Sequence, residues 1–451
     1  MVRAAELVDL ENATQSRSVF WEQEIYDQEI ERIFDRSWLF LTHECFIPNP
    51  GDFVTGLMAE NNVIVARQKD GAIRAMLNAC THRGNLVCPA ESGNSKAFVC
   101  NYHGWVFGLD GALVDVPMEE RCYHNKLDKS EKGLRQIRVE AYRGFVFGCF
   151  DENAPNLEDY LGDFTWYLDT FMVGPGAGME LAGPPMKSLL KCNWKVPTEN
   201  FIGDGYHVGW THASALQISE TPLSALAGNR ADMPFDDLGM QFTMRHGHGF
   251  GVIYDAVGGI HEQPSRLREF VEKTAPIIKE KFGPERAVLY SGHWNSSIFP
   301  NCSFLYGTNT FKVWHPRGPH ETEVWTYVMV PKDADEATRR ETILQASRTF
   351  GTAGTLESDD GDNMVMCTRN NRGSQVRDDV MDSSMGVGAE GRHPAYPGIV
   401  GKSFIGETSY RGFYRFWAEM MDAPDWAAIR QNDENWDAIW RDSNVWNGAT
   451  G

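Results

Sequence analysis

Cys80-Thr81-His82-Arg83-Gly84 and, with 17 residues between His82 and the next cysteine, Cys100-Asn101-Tyr102-His103-Gly104-Trp105 decide how the first third of the chain folds. A Cys-x-His pair and a Cys-x-x-His pair supply two thiolates and two imidazoles, one of each from each of two loop tips. Four such donors suit a [2Fe–2S] cluster in which Cys80 and Cys100 hold one iron and His82 and His103 the other. Neutral imidazoles in place of two thiolates leave such a cluster less negative, which raises its potential. Zinc also accepts two Cys and two His. Zinc fingers, however, carry their cysteines together and their histidines together, whereas here each loop gives one of each. Cys122-Tyr123-His124 repeats the first form with no Cys-x-x-His after it, and reads as structural.

Working outward, short β-branched and aromatic runs surround these loops. Asp70-Gly71 separates Asn62–Ala66 from Ile73–Leu77, and Asp110-Gly111 separates Trp105–Phe107 from Ala112–Val114. Asp-Gly between two such runs is a strong hairpin signal. A small all-β domain is therefore expected over residues 38–156, inserted near the N-terminus of a larger domain made of residues 1–37 and 157–451. In that larger part Ile25, Ile30, Ile33 and Phe34 predict a helix over 18–38. Helices are also expected over 157–167 and 334–350, with a strand over 323–330, so the fold class is α+β.

At 451 residues the chain is long enough for two cores. No apolar run approaches the roughly 18 residues that span a bilayer. Met1-Val2-Arg3-Ala4-Ala5-Glu6 leads into acidic residues, so a cytoplasmic, bacterial location is expected. A net charge of −20 argues against nucleic acid as a partner. Nine cysteines, several in apolar settings, read as buried thiols or metal ligands.

A second constellation lies in Glu199-Asn200-Phe201-Ile202-Gly203-Asp204-Gly205-Tyr206-His207-Val208-Gly209-Trp210-Thr211-His212. Asp204 and His207, three apart, would share a helix face. His207 and His212 stand about 140° apart round an ideal helix, so converging on one ion requires a distorted helix. Gly203, Gly205 and Gly209 make that distortion cheap. Two histidines need one carboxylate to form the facial triad that holds non-haem Fe(II) and leaves positions open. Asp204 is the local choice, and Glu357-Ser358-Asp359-Asp360-Gly361-Asp362-Asn363 offers others. The bland alternative is a solvated helix start at 357 and ordinary polar histidines.

Together the two constellations resemble the α subunits of the aromatic-ring-hydroxylating Rieske non-haem iron dioxygenases, the naphthalene and biphenyl dioxygenase family. The likeness runs from Ile25-Tyr26 and Glu29-Ile30-Glu31-Arg32-Ile33-Phe34 to Gly406-Glu407-Thr408-Ser409-Tyr410-Arg411-Gly412-Phe413-Tyr414. It is nearest to sphingomonad-type enzymes acting on polycyclic aromatic hydrocarbons. The resemblance implies a Rieske domain beside a catalytic domain with an antiparallel sheet surrounded by helices. It implies that Cys80, His82, Cys100 and His103 bind the cluster, and that His207, His212 and Asp360 bind a mononuclear iron. Asp204 then becomes a bridge between His207 and His103 of a neighbouring subunit, and Asn200 lies near the iron.

The same resemblance implies that Phe201, Val208, His293, Asn295, Leu305, Trp314, Phe350 and Leu356 line the substrate pocket. Leu356, smaller than an aromatic residue, would leave room for more than two fused rings. The implied reaction is cis-dihydroxylation of an aromatic hydrocarbon by O2, giving a cis-dihydrodiol. Gly386-Val387-Gly388-Ala389-Glu390-Gly391 fits a dinucleotide fingerprint, but no strand is expected before it, and it reads as a loop. Reducing equivalents must therefore come from partner proteins, and the resemblance implies a Rieske or other [2Fe–2S] ferredoxin, an NADH-dependent reductase and a small β subunit in an α3β3 or α3 assembly. The alternatives are a Rieske monooxygenase or demethylase acting on a more polar aromatic, and a pure electron carrier. The first needs a charged pocket anchor, and the second would not need some 300 further residues.

Overall fold

In a computed structural model, which describes residues 2–218, 224, 226–228 and 235–436, the chain forms two compact units. They are Phe34–Leu157, and Met1–Ile33 with Glu158–Gly451. The sequence reading drew the inner segment at 38–156.

The smaller unit is all β. Its seven-stranded antiparallel sheet runs in spatial order Leu39–His43, Phe145–Cys149, Gln136–Tyr142, Ile73–Leu77, Asn61–Arg67, Asp52–Met58 and Ser92–Asn94. A three-stranded sheet holds Leu113–Asp115, Val106–Gly108 and Ala97–Val99. Both Asp-Gly pairs make the expected hairpins, and by one device. Asp70 Oδ1 accepts from the Ala72 N–H at 3.0 Å and Asp110 Oδ1 from the Ala112 N–H at 3.1 Å. Each glycine sits at positive φ, +87° and +82°, which a side chain would strain. Phe53, Ile64, Met76, Phe98 and Phe107 pack in one core with Cys80, Cys100 and Trp105, so the two motif cysteines are rooted in packed β structure.

The larger unit is built on a ten-stranded antiparallel sheet. Its central run is Thr322–Pro331, Thr310–Pro316, Cys302–Tyr306, His293–Ile298, Gly249–Ile253, Gly239–Thr243 and Tyr396–Gly401. Arg266–Phe282, Glu336–Phe350, Thr355–Asn371 and Thr408–Asp422 are its main helices. The helix expected over 18–38 is broken. A 3-10 turn at Arg17–Phe20 precedes an α-helix at Gln23–Glu29 and a π turn at Ile30–Phe34. The break follows Glu29, whose carboxylate is fully buried and accepts from Lys195 Nζ (2.6 Å), Trp194 Nε1 (2.9 Å) and Trp417 Nε1 (2.8 Å). Those bonds fix Glu29 to the start of the Lys195–Phe201 helix, which leads into the second constellation. Among the described residues no helix is long and apolar enough to cross a membrane.

Candidate metal centres and pocket

The two cysteine loops are copies of one turn. The Gly84 N–H returns to the Cys80 carbonyl at 2.8 Å and the Gly104 N–H to the Cys100 carbonyl at 2.9 Å. Each cysteine N–H is tied to the carbonyl of the residue closing the loop, Asn85 (2.8 Å) and Trp105 (2.9 Å). Both glycines have positive φ, +72° and +75°. The turns therefore hold Cys80 and Cys100 inside, 4 % and 1 % exposed, and bring His82 and His103 together at the tip with ring centroids 4.4 Å apart. The Trp105 ring lies flat beneath His82, 4.9 Å away.

Three observations fit a cluster here. Burial lowers the pKa of His82, and its neighbour His103 lowers it further, so the imidazole is neutral and free to ligate. Its Nδ1 is buried without a hydrogen-bond partner. Burial raises both thiols, but backbone N–H groups of Tyr102 and the Asn85 amide outweigh it at Cys100, whose pKa falls. Asn85 Nδ2 lies 3.8 Å from Cys100 Sγ, a donor to sulfur that the motif did not reveal. Cys122 is exposed and apart from this core.

At the second constellation the expectation of a shared helix face for Asp204 and His207 fails. The Lys195–Phe201 helix ends at Ile202, and the next helix, Val208–Thr211, begins after His207. Gly203, at φ +127°, lies in the break. Asp204 organises this loop: its Oδ1 accepts from the N–H groups of Tyr206 (3.0 Å) and His207 (3.1 Å), and its Oδ2 stands 3.2 Å from His207 Nδ1. Asn200 Nδ2 lies 3.4 Å from the same nitrogen. The Asp204 side chain is 39 % exposed, with its outer edge open.

The other edge of His207 and the corresponding edge of His212 converge on Asp360. Asp360 Oδ1 is 3.4 Å from His207 Nε2 and 3.3 Å from His212 Nε2. It has no aligned hydrogen bond although it is buried. One ligand atom from each of the three lies within 4.8 Å of the others. Two imidazole nitrogens and a carboxylate oxygen that face one point without bonding each other fit a cation between them. Burial alone would lower the His207 pKa, but Asp204 and then Asp360 hold it up to about 9, so the site favours positive charge.

The reading of residues 357–363 as a solvated helix start holds only in part, for Ser358, Asp362 and Asn363 are exposed. The segment lies in the Thr355–Asn371 helix with Glu357 and Asp360 buried, one turn apart. Asp359, not singled out from sequence, places Oδ2 3.3 Å from His212 Nδ1. Each imidazole thus meets a carboxylate on its outer nitrogen, Asp204 for His207 and Asp359 for His212, which fixes ring orientation.

Beside the triad is a cavity lined by Asn200, Phe201, Val208, His293, Asn295, Leu305, Phe350 and Leu356 together with His207, His212 and Asp360. Trp314 is not in its wall. It stands behind Phe201, ring centroids 5.1 Å apart, as a fully buried support. Leu216, Ile253 and Ile260 complete the lining and were not foreseen. Ile253 could have been found from strand pairing alone, because it is the register partner of His293. Burial pushes the His293 pKa down to about 4, so it enters the wall as a neutral group. His246 and His248 both donate to the Tyr160 carbonyl, at 2.7 and 2.8 Å, and are structural.

Two family models match the chain: a Rieske [2Fe-2S] domain over residues 37–138, and a ring hydroxylating alpha subunit catalytic domain over residues 157–423. The large oxygenase component of a naphthalene 1,2-dioxygenase system from Pseudomonas aeruginosa is 47 % identical over 434 residues, covering 95 % of this chain and 96 % of that protein. A naphthalene 1,2-dioxygenase solved with indole in its active site superposes with a TM-score of 0.93 at 45 % identity, over 97 % of this chain and 98 % of the other. A mutant of naphthalene 1,2-dioxygenase bound to phenanthrene gives the same TM-score at 44 % identity, covering 98 % and 100 %.

Proposed function

The chain belongs to the family of ring-hydroxylating dioxygenase α subunits, and on that premise we propose that it cis-dihydroxylates aromatic hydrocarbons, polycyclic ones among them. It is an oxidoreductase, the oxygenase component of its system, with a Rieske [2Fe–2S] cluster and a mononuclear iron. The observation that carries the reading is the His207, His212 and Asp360 convergence at the side of an apolar cavity.

Cys80, His82, Cys100 and His103 would hold the cluster, and His207, His212 and Asp360 the iron. When bound, the iron supplies dioxygen activation and the cluster supplies electrons; one O2, two electrons and two protons per aromatic double bond balance the cis-dihydrodiol. Phe201, Val208, Leu305, Phe350 and Leu356 exclude water and present a ring edge beside the triad. Asn200, His293 and Asn295 are the polar groups available to orient it. Asp204 and Asp359 keep the two imidazoles turned inward. The half-exposed Asp204 also offers its outer edge to a second copy of the chain, which supports a bridge to that copy's cluster histidine.

Electrons would come from a [2Fe–2S] ferredoxin and its NADH-dependent reductase, with a small β subunit in the assembly and the whole in the cytoplasm. Among the described lining residues the only carboxylate is Asp360 and there is no Lys or Arg, which disfavours a charged substrate. Metal analysis with product identification tests the reading. About three irons per chain and a cis-dihydrodiol from naphthalene or phenanthrene are expected. About two irons would indicate a carrier, and zinc would refute both sites.

A further inference from the structure

We propose that Gln241 is the positioning residue that fixes the Asp204 loop, and so sets the rate of electron entry to the His207 site. The proposal rests on the reading of Asp204 as the bridge between the two metal centres.

Gln241 lies within the ten-stranded sheet, paired to Gly251 on one side and Gly401 on the other, and is 1 % exposed. A buried carboxamide must satisfy two N–H groups and an oxygen. Here all are engaged, and every partner belongs to one of two segments. The two N–H groups of Nε2 are shared among three carbonyls, those of Gly203 at 2.6 Å, Phe404 at 3.1 Å and Gly406. Oε1 accepts from Ser409 N (3.3 Å) and Ser409 Oγ (3.2 Å). One side chain on a rigid strand therefore clamps the residue before Asp204 to the start of the Thr408–Asp422 helix.

The clamp closes on a surface made for it. A Cβ on Gly203 would come 2.5 Å from Gly251 N and 2.9 Å from Ser409 Oγ, and a Cβ on Gly251 would come 3.0 Å from the Gly203 carbonyl. A Cβ on Gly205 would collide with the ring and carbonyl of Phe404. Two backbones lie directly against each other, so the loop cannot shift toward the sheet. Gln241 prevents the opposite shift. Through its carboxylate Asp204 is anchored, among the described residues, only within its own loop, by the N–H groups of Tyr206 and His207. Its side chain is 39 % exposed, and its 3.2 Å approach to His207 Nδ1 depends on where Gly203 puts the backbone. Electron transfer through a hydrogen-bonded path is sensitive to such a placement, as second-shell geometry is at metal sites generally.

The test uses the assembled enzyme with its ferredoxin and reductase, and three variants: Gln241→Met, which keeps length but no hydrogen bonds; Ser409→Ala, a milder loosening; and Asp204→Ala as reference. Three quantities are read. One is deuterium uptake by the 203–208 peptide. The second is the rate at which the reduced cluster is reoxidised on mixing with substrate and O2. The third is product formed from hydrogen peroxide, which brings both oxygen atoms and both electrons and bypasses the cluster. In Gln241→Met, uptake at 203–208 should quicken by about tenfold and reoxidation slow by about tenfold, with peroxide-driven product within about twofold of the parent. Ser409→Ala should move the first two the same way by about threefold. If Gln241→Met does not fold, the Ser409→Ala result decides on the same criteria.

Parental reoxidation in the Gln241 and Ser409 variants, with slow reoxidation in Asp204→Ala, overturns the proposal and leaves the bridge standing. Equal loss of peroxide-driven product also overturns it, since Gln241 would then support the whole site. Parental reoxidation in Asp204→Ala refutes the bridge itself.

Discussion

Replacing Lys312 by Met tests how the pocket wall is joined to the metal carboxylate. Lys312 is fully buried on the strand Thr310–Pro316. Its ammonium meets Glu357 Oε2 at 2.7 Å, the Phe350 carbonyl at 3.1 Å and Thr326 Oγ1 at 3.4 Å, and lies 5.5 Å from the Phe201 and Trp314 ring centres. It thus joins both ends of the connection between two helices, Glu336–Phe350 and the helix bearing Asp360. Removing one partner of a buried pair costs about 3–5 kcal/mol, because the remaining charge is left uncompensated. Burial already raises the Glu357 pKa against the lowering by Lys312, so losing Lys312 shifts the carboxyl further toward its neutral form, and the lower end, about 3 kcal/mol, applies. At about 2 °C per kcal/mol for a unit of this size, the thermal midpoint should fall by about 6 °C. Removing both charges, Lys312→Met with Glu357→Leu, should restore most of it. Thermal melts of the iron-loaded protein read this directly. A loss below about 1 kcal/mol in the single variant, or a double variant no better than the single, would refute the reasoning.

Asp359→Ala should release His212 Nδ1 and weaken iron retention against a chelator by about 10–100-fold; unchanged retention would show that the contact does not orient the ring. Leu356→Trp should fill the cavity and lower the kcat/KM ratio of phenanthrene to naphthalene by more than about tenfold, as competition assays would show. Burial pushes His248 down to about 3, so between pH 6.5 and 3 the unfolded chain binds a proton that the folded chain does not. Stability is then complete above about pH 6.5 and falls with pH, by about 2 kcal/mol at pH 5 for this one group. His248→Gln should reduce the pH slope of the midpoint over that window, and an identical slope would sink the assignment.

The first metal centre was legible because everything that builds it is local. Each loop closes by hydrogen bonds between a cysteine and a residue four or five positions on, so short spacing carries the geometry. The second centre was half legible. His207 and His212 announce themselves, but spacing alone left the third ligand open between Asp204 and the acidic run at 357–363, and only family resemblance chose Asp360. The physical reason is sequence distance. Asp360 reaches the histidines because a helix more than 140 residues downstream is docked there, partly through Lys312 and Glu357, and no local pattern encodes that docking. The false helix face for Asp204 and His207 has the same origin. Helical spacing assumes an unbroken ladder, whereas Gly203 leaves the ladder to lie against Gly251.

That break explains how one short segment serves two purposes. In a continuous helix, Asp204 and His207 would be neighbours on one face, and the carboxylate would compete for the ion as a direct ligand. With the helix interrupted, the Asp204 side chain turns back on its own loop, takes the N–H groups of Tyr206 and His207, and addresses the outer nitrogen of His207. The inner nitrogen is left to Asp360 and His212. The loop conformation, more than the choice of residues, therefore separates the proposed bridge from the ligands. Restoring the helix should merge the roles: Gly203→Ala, barred from φ +127° and from contact with Gly251, should lower iron-site occupancy and electron entry together. Loss of one without the other would show that the two roles of the segment are independent of its backbone.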